Sequence, residues 1–186
     1  MMNIRLTSID QYVDVSSKTN FNTYHLKESV EKRLQRIHVS SRDSSRTPMQ
    51  WDDSIHAGFS AVEPWFFVNS NYKKVNVAAE EKDDDSILNF YRRCIALRKS
   101  SETLIFGKYN EFFPKHKELY TYERVMDNER YLIICSFSRL PHRMRIPDSY
   151  KGKTGELVLC NYSDQPLKDG WLKPYEARVY RYQDPK

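Results

Sequence analysis

Near residue 102 the spacing of apolar residues changes from the 3.6-residue period of helices toward the two-residue period of strands, so one repeating layer cannot account for this chain. Before the switch, Leu26, Val30, Leu34 and Ile37 recur every three or four residues, the stripe of a surface-lying amphipathic helix. After it come six short β-rich runs, Tyr109–Phe113, Leu119–Val125, Arg130–Phe137, Met144–Ile146, Glu156–Cys160 and Ala177–Tyr182, separated by Pro, Gly, Asn or Asp. No helical pattern falls between them. They therefore cannot build βαβ units, and an antiparallel sandwich-like domain over residues 102–186 is expected, with Asp127-Asn128 turning a hairpin between the second and third runs.

Residues 1–101 read as short helices and one long loop. Ser8-Ile9-Asp10-Gln11 has capping-box spacing, a hydroxyl followed three places later by Gln. Asp83-Asp84-Asp85-Ser86 gathers acid where a helix dipole is positive, and Arg92, Arg93, Arg98 and Lys99 fall toward its negative end. A helix over about residues 86–100 is expected, with Ile87, Tyr91, Cys94 and Ile95 on one side. Between Ser40 and Ala79 neither period holds. A loop that long is usually functional or disordered, and Trp51, Trp65 and several Phe argue for an ordered, packed one.

Composition excludes several classes of function. The chain has 186 residues, too few for a complete eight-stranded α/β barrel, which rarely takes fewer than about 200. The net charge is +5, yet Lys108, Lys115, Lys117 and Arg124 alternate with Glu111, Glu118 and Glu123, so no basic stripe for nucleic acid forms. Cys94, Cys135 and Cys160 form no C-x-x-C and read as buried thiols of a reducing compartment. The longest apolar runs fall far short of the about 20 residues that span a membrane, and no signal-peptide core begins the chain, so a cytoplasmic protein is expected. His25, His38, His56, His116 and His142 never fall at paired ligand spacing, and 5 Gly are too scattered to cradle a phosphate. No metal and no cofactor are expected. Asn161-Tyr162-Ser163 is a glycosylation sequon taken as coincidental.

The densest constellation is Arg42-Asp43-Ser44-Ser45-Arg46-Thr47-Pro48-Met49-Gln50-Trp51-Asp52. Two readings stay open on the residues alone. The Arg and Asp side chains suit a salt-bridged loop that fixes its own shape. They also suit a sugar site, because a guanidinium is a planar fork of donors for vicinal hydroxyls and an aromatic can wall the pocket.

Ser41 to Phe59, SRDSSRTPMQWDDSIHAGF, closely resembles the loop after the eighth barrel strand in α-glucosidases of glycoside hydrolase family 13, the oligo-1,6-glucosidase and trehalose-6-phosphate hydrolase group. The resemblance continues through Pro64-Trp65, Asn69-Ser70-Asn71-Tyr72, Val75-Asn76-Val77, the helix from Ser86 to Lys99 and Leu172-Lys173-Pro174-Tyr175-Glu176-Ala177. Met2-Asn3-Ile4-Arg5 is similar to the segment just past that strand. The chain departs from the commoner form at Ser44-Ser45, where Asn-Ala is frequent, and at Ile55-His56.

The resemblance implies an α+β fragment: the last loop and helices of a (β/α)8 barrel in residues 1–101, then an antiparallel β-sandwich in 102–186. It implies part of a retaining α-glucosidase for short α-glucosides, in which Arg42 matches the Arg that grips the terminal glucose. Asp43, Arg46 and Trp51 are assigned to loop architecture near the site. The family's catalytic Asp, acid/base Glu and third Asp sit on earlier barrel strands, so this chain alone is expected to hydrolyse nothing and to meet its α-glucoside only if the rest of the barrel is supplied. Two other classes compete. One is a carbohydrate-binding module built on Tyr109, Phe112, Phe113, Tyr120, Tyr122, Tyr131 and Tyr162. The other is a scaffold using the apolar faces of Leu26-Val30-Leu34-Ile37 and Ile87-Tyr91-Ile95, since exposed patches promote association.

Overall fold

In a computed structural model the described residues are 4, 6–24, 26–162 and 170–184. Met2, Asn3, Arg5, His25 and Ser163, which figured in the sequence reading, lie outside them. Contacts divide the chain into two units, Met1–Lys82 and Asp83–Lys186.

The first unit is built from short, side-chain-capped pieces. Ser8 and Gln11 form the expected capping box, here on a single 3-10 turn, Ile9–Gln11. Helix α1 (Val15–Thr23) starts where the Asp14 carboxylate accepts the Ser17 N–H, and α2 (Val30–Ser40) where the Ser29 hydroxyl accepts that of Lys32. The expected stripe therefore begins at Val30, and Leu26 stands before the helix at 87% exposure. Ile37 on α2 and Phe21 on α1 are buried with Leu6, Tyr12 and Phe66 in one small core. Arg33 reinforces the helix pair by lying 4.0 Å over the Phe21 ring and donating to its carbonyl at 3.0 Å.

The stretch from 40 to 79 is ordered, though its tryptophans do not do the ordering. Trp51 and Trp65 are 50% and 73% exposed. Polar bonds hold the backbone instead. The buried Gln50 amide donates to Asn71 Oδ1 at 3.0 Å and to the Val75 carbonyl, and the backbone of Gln50 and Trp51 accepts from Val77 and Ala78. Those two bonds open α3 (Val77–Lys82), a short helix absent from the sequence reading. His56, Ala57 and Gly58 follow one another in the left-handed region, φ 53°, 59° and 64°. They curl the chain so that the Ala57 carbonyl accepts the N–H groups of Trp51 and Asp52.

In the second unit α4 (Ile87–Lys99) is capped by the Ser86 hydroxyl, as its sequence predicts, and carries Arg98 and Lys99 in its last turn. Ile87, Tyr91 and Ile95 share one side of it and are 72%, 64% and 52% exposed. A second helix, α5 (Glu102–Phe106), follows at once. The strands are β1 (Lys108–Phe112), β2 (Leu119–Met126), β3 (Glu129–Ser136), β4 (His142–Arg143), β5 (Glu156–Cys160), β6 (Trp171–Leu172) and β7 (Ala177–Gln183). Five of them form an antiparallel sheet in the order β1-β2-β3-β7-β5, and β4 pairs with β6 in a separate two-stranded sheet. The β2–β3 hairpin turns at Asp127-Asn128 as expected, with Asp127 at φ 51°.

Alternation sends Leu119, Leu132, Ile134 and Tyr182 to one face of the large sheet, where Leu172 of β6 and Tyr150 complete a core. Tyr131, Ile133 and Val179 take the opposite face and are covered by Leu104 of α5 and Leu97 of α4. Central strand β3 is thus buried on both sides, which is why Tyr131 to Cys135 reads as a continuous apolar run. Met144–Ile146 is no strand. Met144 and Ile146 pack against the first core from irregular chain, and the ladder lies just before them at His142–Arg143.

Candidate functional site

The motif residues sit on a 3-10 turn, Arg42–Ser45, capped by the Ser41 hydroxyl. Across from it lies the start of α1, and two carboxylates bind the segments together. Asp43 is fully buried, and its Oδ2 accepts the backbone N–H groups of Val13 at 2.8 Å and Asp14 at 2.9 Å. Asp14, 3% exposed, reciprocates: its Oδ1 accepts from Arg42 Nε at 3.1 Å and Nη2 at 2.8 Å. Asp14 Oδ2 takes the Ser17 N–H and hydroxyl at 3.1 and 2.8 Å, and the Ser17 and Ser41 hydroxyl oxygens lie 2.9 Å apart, within hydrogen-bond distance. This is a charge-assisted network with almost every acceptor used, the kind that rigidifies a loop.

The electrostatics follow from that wiring. Burial pushes the Asp14 carboxyl up, but the Ser17 and Arg42 bonds outweigh it and hold the group below the ordinary carboxylate value. Tyr12, at the base of the same segment, is raised by burial and by the nearby Asp43 charge. Arg46 lies 3.9 Å from the second Asp43 oxygen, a distance that supplies charge without a hydrogen bond.

Of the four residues singled out in the sequence, three meet here: Arg42, Asp43 and Arg46. Their exposures differ sharply. The Asp43 side chain is sealed, and those of Arg42 and Arg46 are 62% and 43% exposed. Trp51 is anchored elsewhere, in the left-handed turn through its bond to the Ala57 carbonyl at 2.9 Å. Asp14 and Ser17 were missed in the sequence, where Ser41 figured only as the first residue of the motif. Only the N-cap spacing of Asp14 to Ser17 marked them, and it says nothing of Arg42, 28 residues away.

Among the described residues no group of three His, Cys, Asp or Glu could hold a metal ion, and no helix is long and apolar enough to cross a membrane. The arrangement offers an exposed guanidinium edge held by a buried carboxylate.

Known proteins match the chain over nearly its whole length. The oligo-1,6-glucosidase of Parageobacillus thermoglucosidasius is 38% identical over 100% of this chain and 34% of its own length. The trehalose-6-phosphate hydrolase of Bacillus subtilis is 31% identical over the same shares. Among solved structures, the trehalose-6-phosphate hydrolase of Bacillus licheniformis superposes with a TM-score of 0.89 at 30% identity, covering 99% of this chain and 34% of that one. Isomaltulose synthase from Klebsiella sp. LX3 gives 0.86 at 32% identity, over 97% and 33%. The chain therefore spans about a third of the relatives it matches. Because residues 10–107, more than half of the chain, match the α-amylase catalytic domain, the chain belongs to that family, glycoside hydrolase family 13.

Proposed function

We propose that this chain is the C-terminal part of a retaining α-glucosidase acting on short α-glucosides, isomalto- or malto-oligosaccharides or trehalose 6-phosphate. In this reading residues 1–101 carry the loop after the eighth barrel strand and the final helices, and 102–186 form a β-sandwich domain. The core shared by the large sheet and Leu172 of β6 supports the second assignment. The observation that carries the whole reading is the clamped Arg42, its guanidinium exposed, in a chain that an oligo-1,6-glucosidase matches along its full length. Arg42 would grip hydroxyls of the terminal glucose, and Asp43, Arg46 and Trp51 would shape the loop around it. No cofactor enters. The three cysteines, all free and only partly buried where burial was expected, support a reducing, cytoplasmic setting.

Retaining hydrolysis needs two carboxyl groups about 5 Å apart across the scissile bond. We assign both to the part of the relatives that this chain does not span. The chain alone is then expected to leave p-nitrophenyl α-glucoside intact. Exchanged for the matching third of the Parageobacillus oligo-1,6-glucosidase, it is expected to support hydrolysis, with Arg42→Ala lowering kcat/KM at least about tenfold. A rate from the chain alone that a substitution within it abolishes overturns the reading, and so does an Arg42→Ala chimaera that matches the parent.

A stand-alone carbohydrate-binding module is the second reading. It is favoured by Tyr109 and Tyr120, exposed on neighbouring strands with their hydroxyls 2.9 Å apart. Saturable quenching of tryptophan fluorescence by maltose, with no partner chain present, would select it.

A further inference from the structure

We propose that Asp14 is a positioning residue for sugar binding: it holds Arg42 by the Nε–Nη2 edge, so that the remaining Nη1 edge is presented, already oriented, to the hydroxyls of an α-glucoside. The inference rests on the sugar-binding reading of Arg42 and adds a residue outside the motif. Both donors of that edge converge on a single oxygen, Asp14 Oδ1, at 3.1 and 2.8 Å, which turns this edge of the guanidinium inward and the opposite edge outward. Ser16 Oγ, 3.4 Å from Nη2, lies on the same side. Arg42 Nη1 has no hydrogen-bond partner among the described residues.

Asp14 is a rigid anchor because all of its other polar groups are committed. Its Oδ2 belongs to Ser17, and its own N–H is held by the buried Asp43. An unanchored Arg loses rotamer freedom when a ligand immobilises it. Here that loss is taken when the chain folds, before any sugar arrives. The same residue both opens α1 and aims Arg42, so the placement of the guanidinium is tied to a helix terminus and does not rely on the motif loop alone.

The test separates aiming from folding. Asp14→Ser keeps a good N-cap but is too short to reach Arg42, and Asp14→Asn keeps an oxygen at the right distance. On the chain itself, the Arg42 Nε–H signal in 15N-resolved NMR is expected to exchange slowly in the parent and in Asp14→Asn, and to lose that protection in Asp14→Ser. Unchanged protection in Asp14→Ser overturns the proposal. In the chimaera described above, Asp14→Ser is expected to lower kcat/KM about tenfold, Asp14→Asn to recover most of the loss, and Asp14→Ser with Arg42→Ala to be no worse than Arg42→Ala alone. Losses that multiply refute the positioning role, as does an unaffected Asp14→Ser beside an impaired Arg42→Ala; in both, Arg42 keeps its function. An Arg42→Ala chimaera with full activity removes the sugar-binding reading first and this proposal with it.

Discussion

Replacing Asp43 with Ala should be the most damaging single change in the first unit, and its size can be worked from the structure. The carboxylate is fully buried and accepts two backbone N–H groups, those of Val13 and Asp14, at 2.8 and 2.9 Å. Charge-assisted bonds of this kind contribute about 1.5–3 kcal/mol each, and a buried donor left unpaired costs about 1–3. Against this, Ala relieves the burial of a carboxylate whose second oxygen has no hydrogen bond, which returns several kcal/mol at most. The net expectation is a loss of about 2–4 kcal/mol. Urea unfolding followed by tryptophan fluorescence measures it, with Trp51 and Trp65 reporting on this unit. Amide exchange at Val13 and Asp14 localises it. Asp43→Asn, which keeps one acceptor oxygen for both amides, should lose about half as much. A loss under about 1 kcal/mol for Asp43→Ala, with Val13 and Asp14 still protected, would refute the argument that this carboxylate holds the two segments together.

Gly58→Ala should destabilise by about 1–2 kcal/mol or more, because Gly58 lies at φ 64° and an added Cβ would come within 2.6 Å of the Asp52 carboxylate; a melting temperature unchanged from the parent would count against it. Acid should weaken the fold through carboxylates held below their ordinary values, among them Asp14, Glu129 and Glu176. The unfolded chain binds more protons than the folded one across their titration, so their stability is fully present above the ordinary values of 3.8 and 4.5 and is lost as pH falls through the folded ones. Unfolding free energy should be level from about pH 5 to 7 and fall below about pH 4, with a shallower fall in Asp14→Asn; a curve that rises on acidification contradicts the assignment.

Much of the second unit was legible because its strands are long enough to alternate. The runs at 119, 130, 156 and 177 each open within one residue of an observed strand. Trp171–Leu172 was not, since two residues have no period, and the five residues of α5 are barely more than one turn. Met144 and Ile146 misled because apolar residues also pack from irregular chain. At the site, the motif from Arg42 to Asp52 is contiguous and so could be read. Its partner Asp14 is joined to it only by the folded path of α1 and α2, which leaves no local trace beyond a cap. The two tryptophans show the converse, since aromatic content alone does not reveal which rings face solvent.

The paired carboxylates that join residues 13 and 14 to residues 42 and 43 close a loop through sequence separations of 28 to 30. Closure entropy grows only logarithmically, about 0.6 kcal/mol for each doubling of length. The connection between α1 and α2 can therefore lengthen or shorten while the clamp, and the guanidinium it aims, stays where it is. In a lineage of such chains, the tip of this helical excursion is a place where length can drift at little thermodynamic expense while the geometry at its base persists.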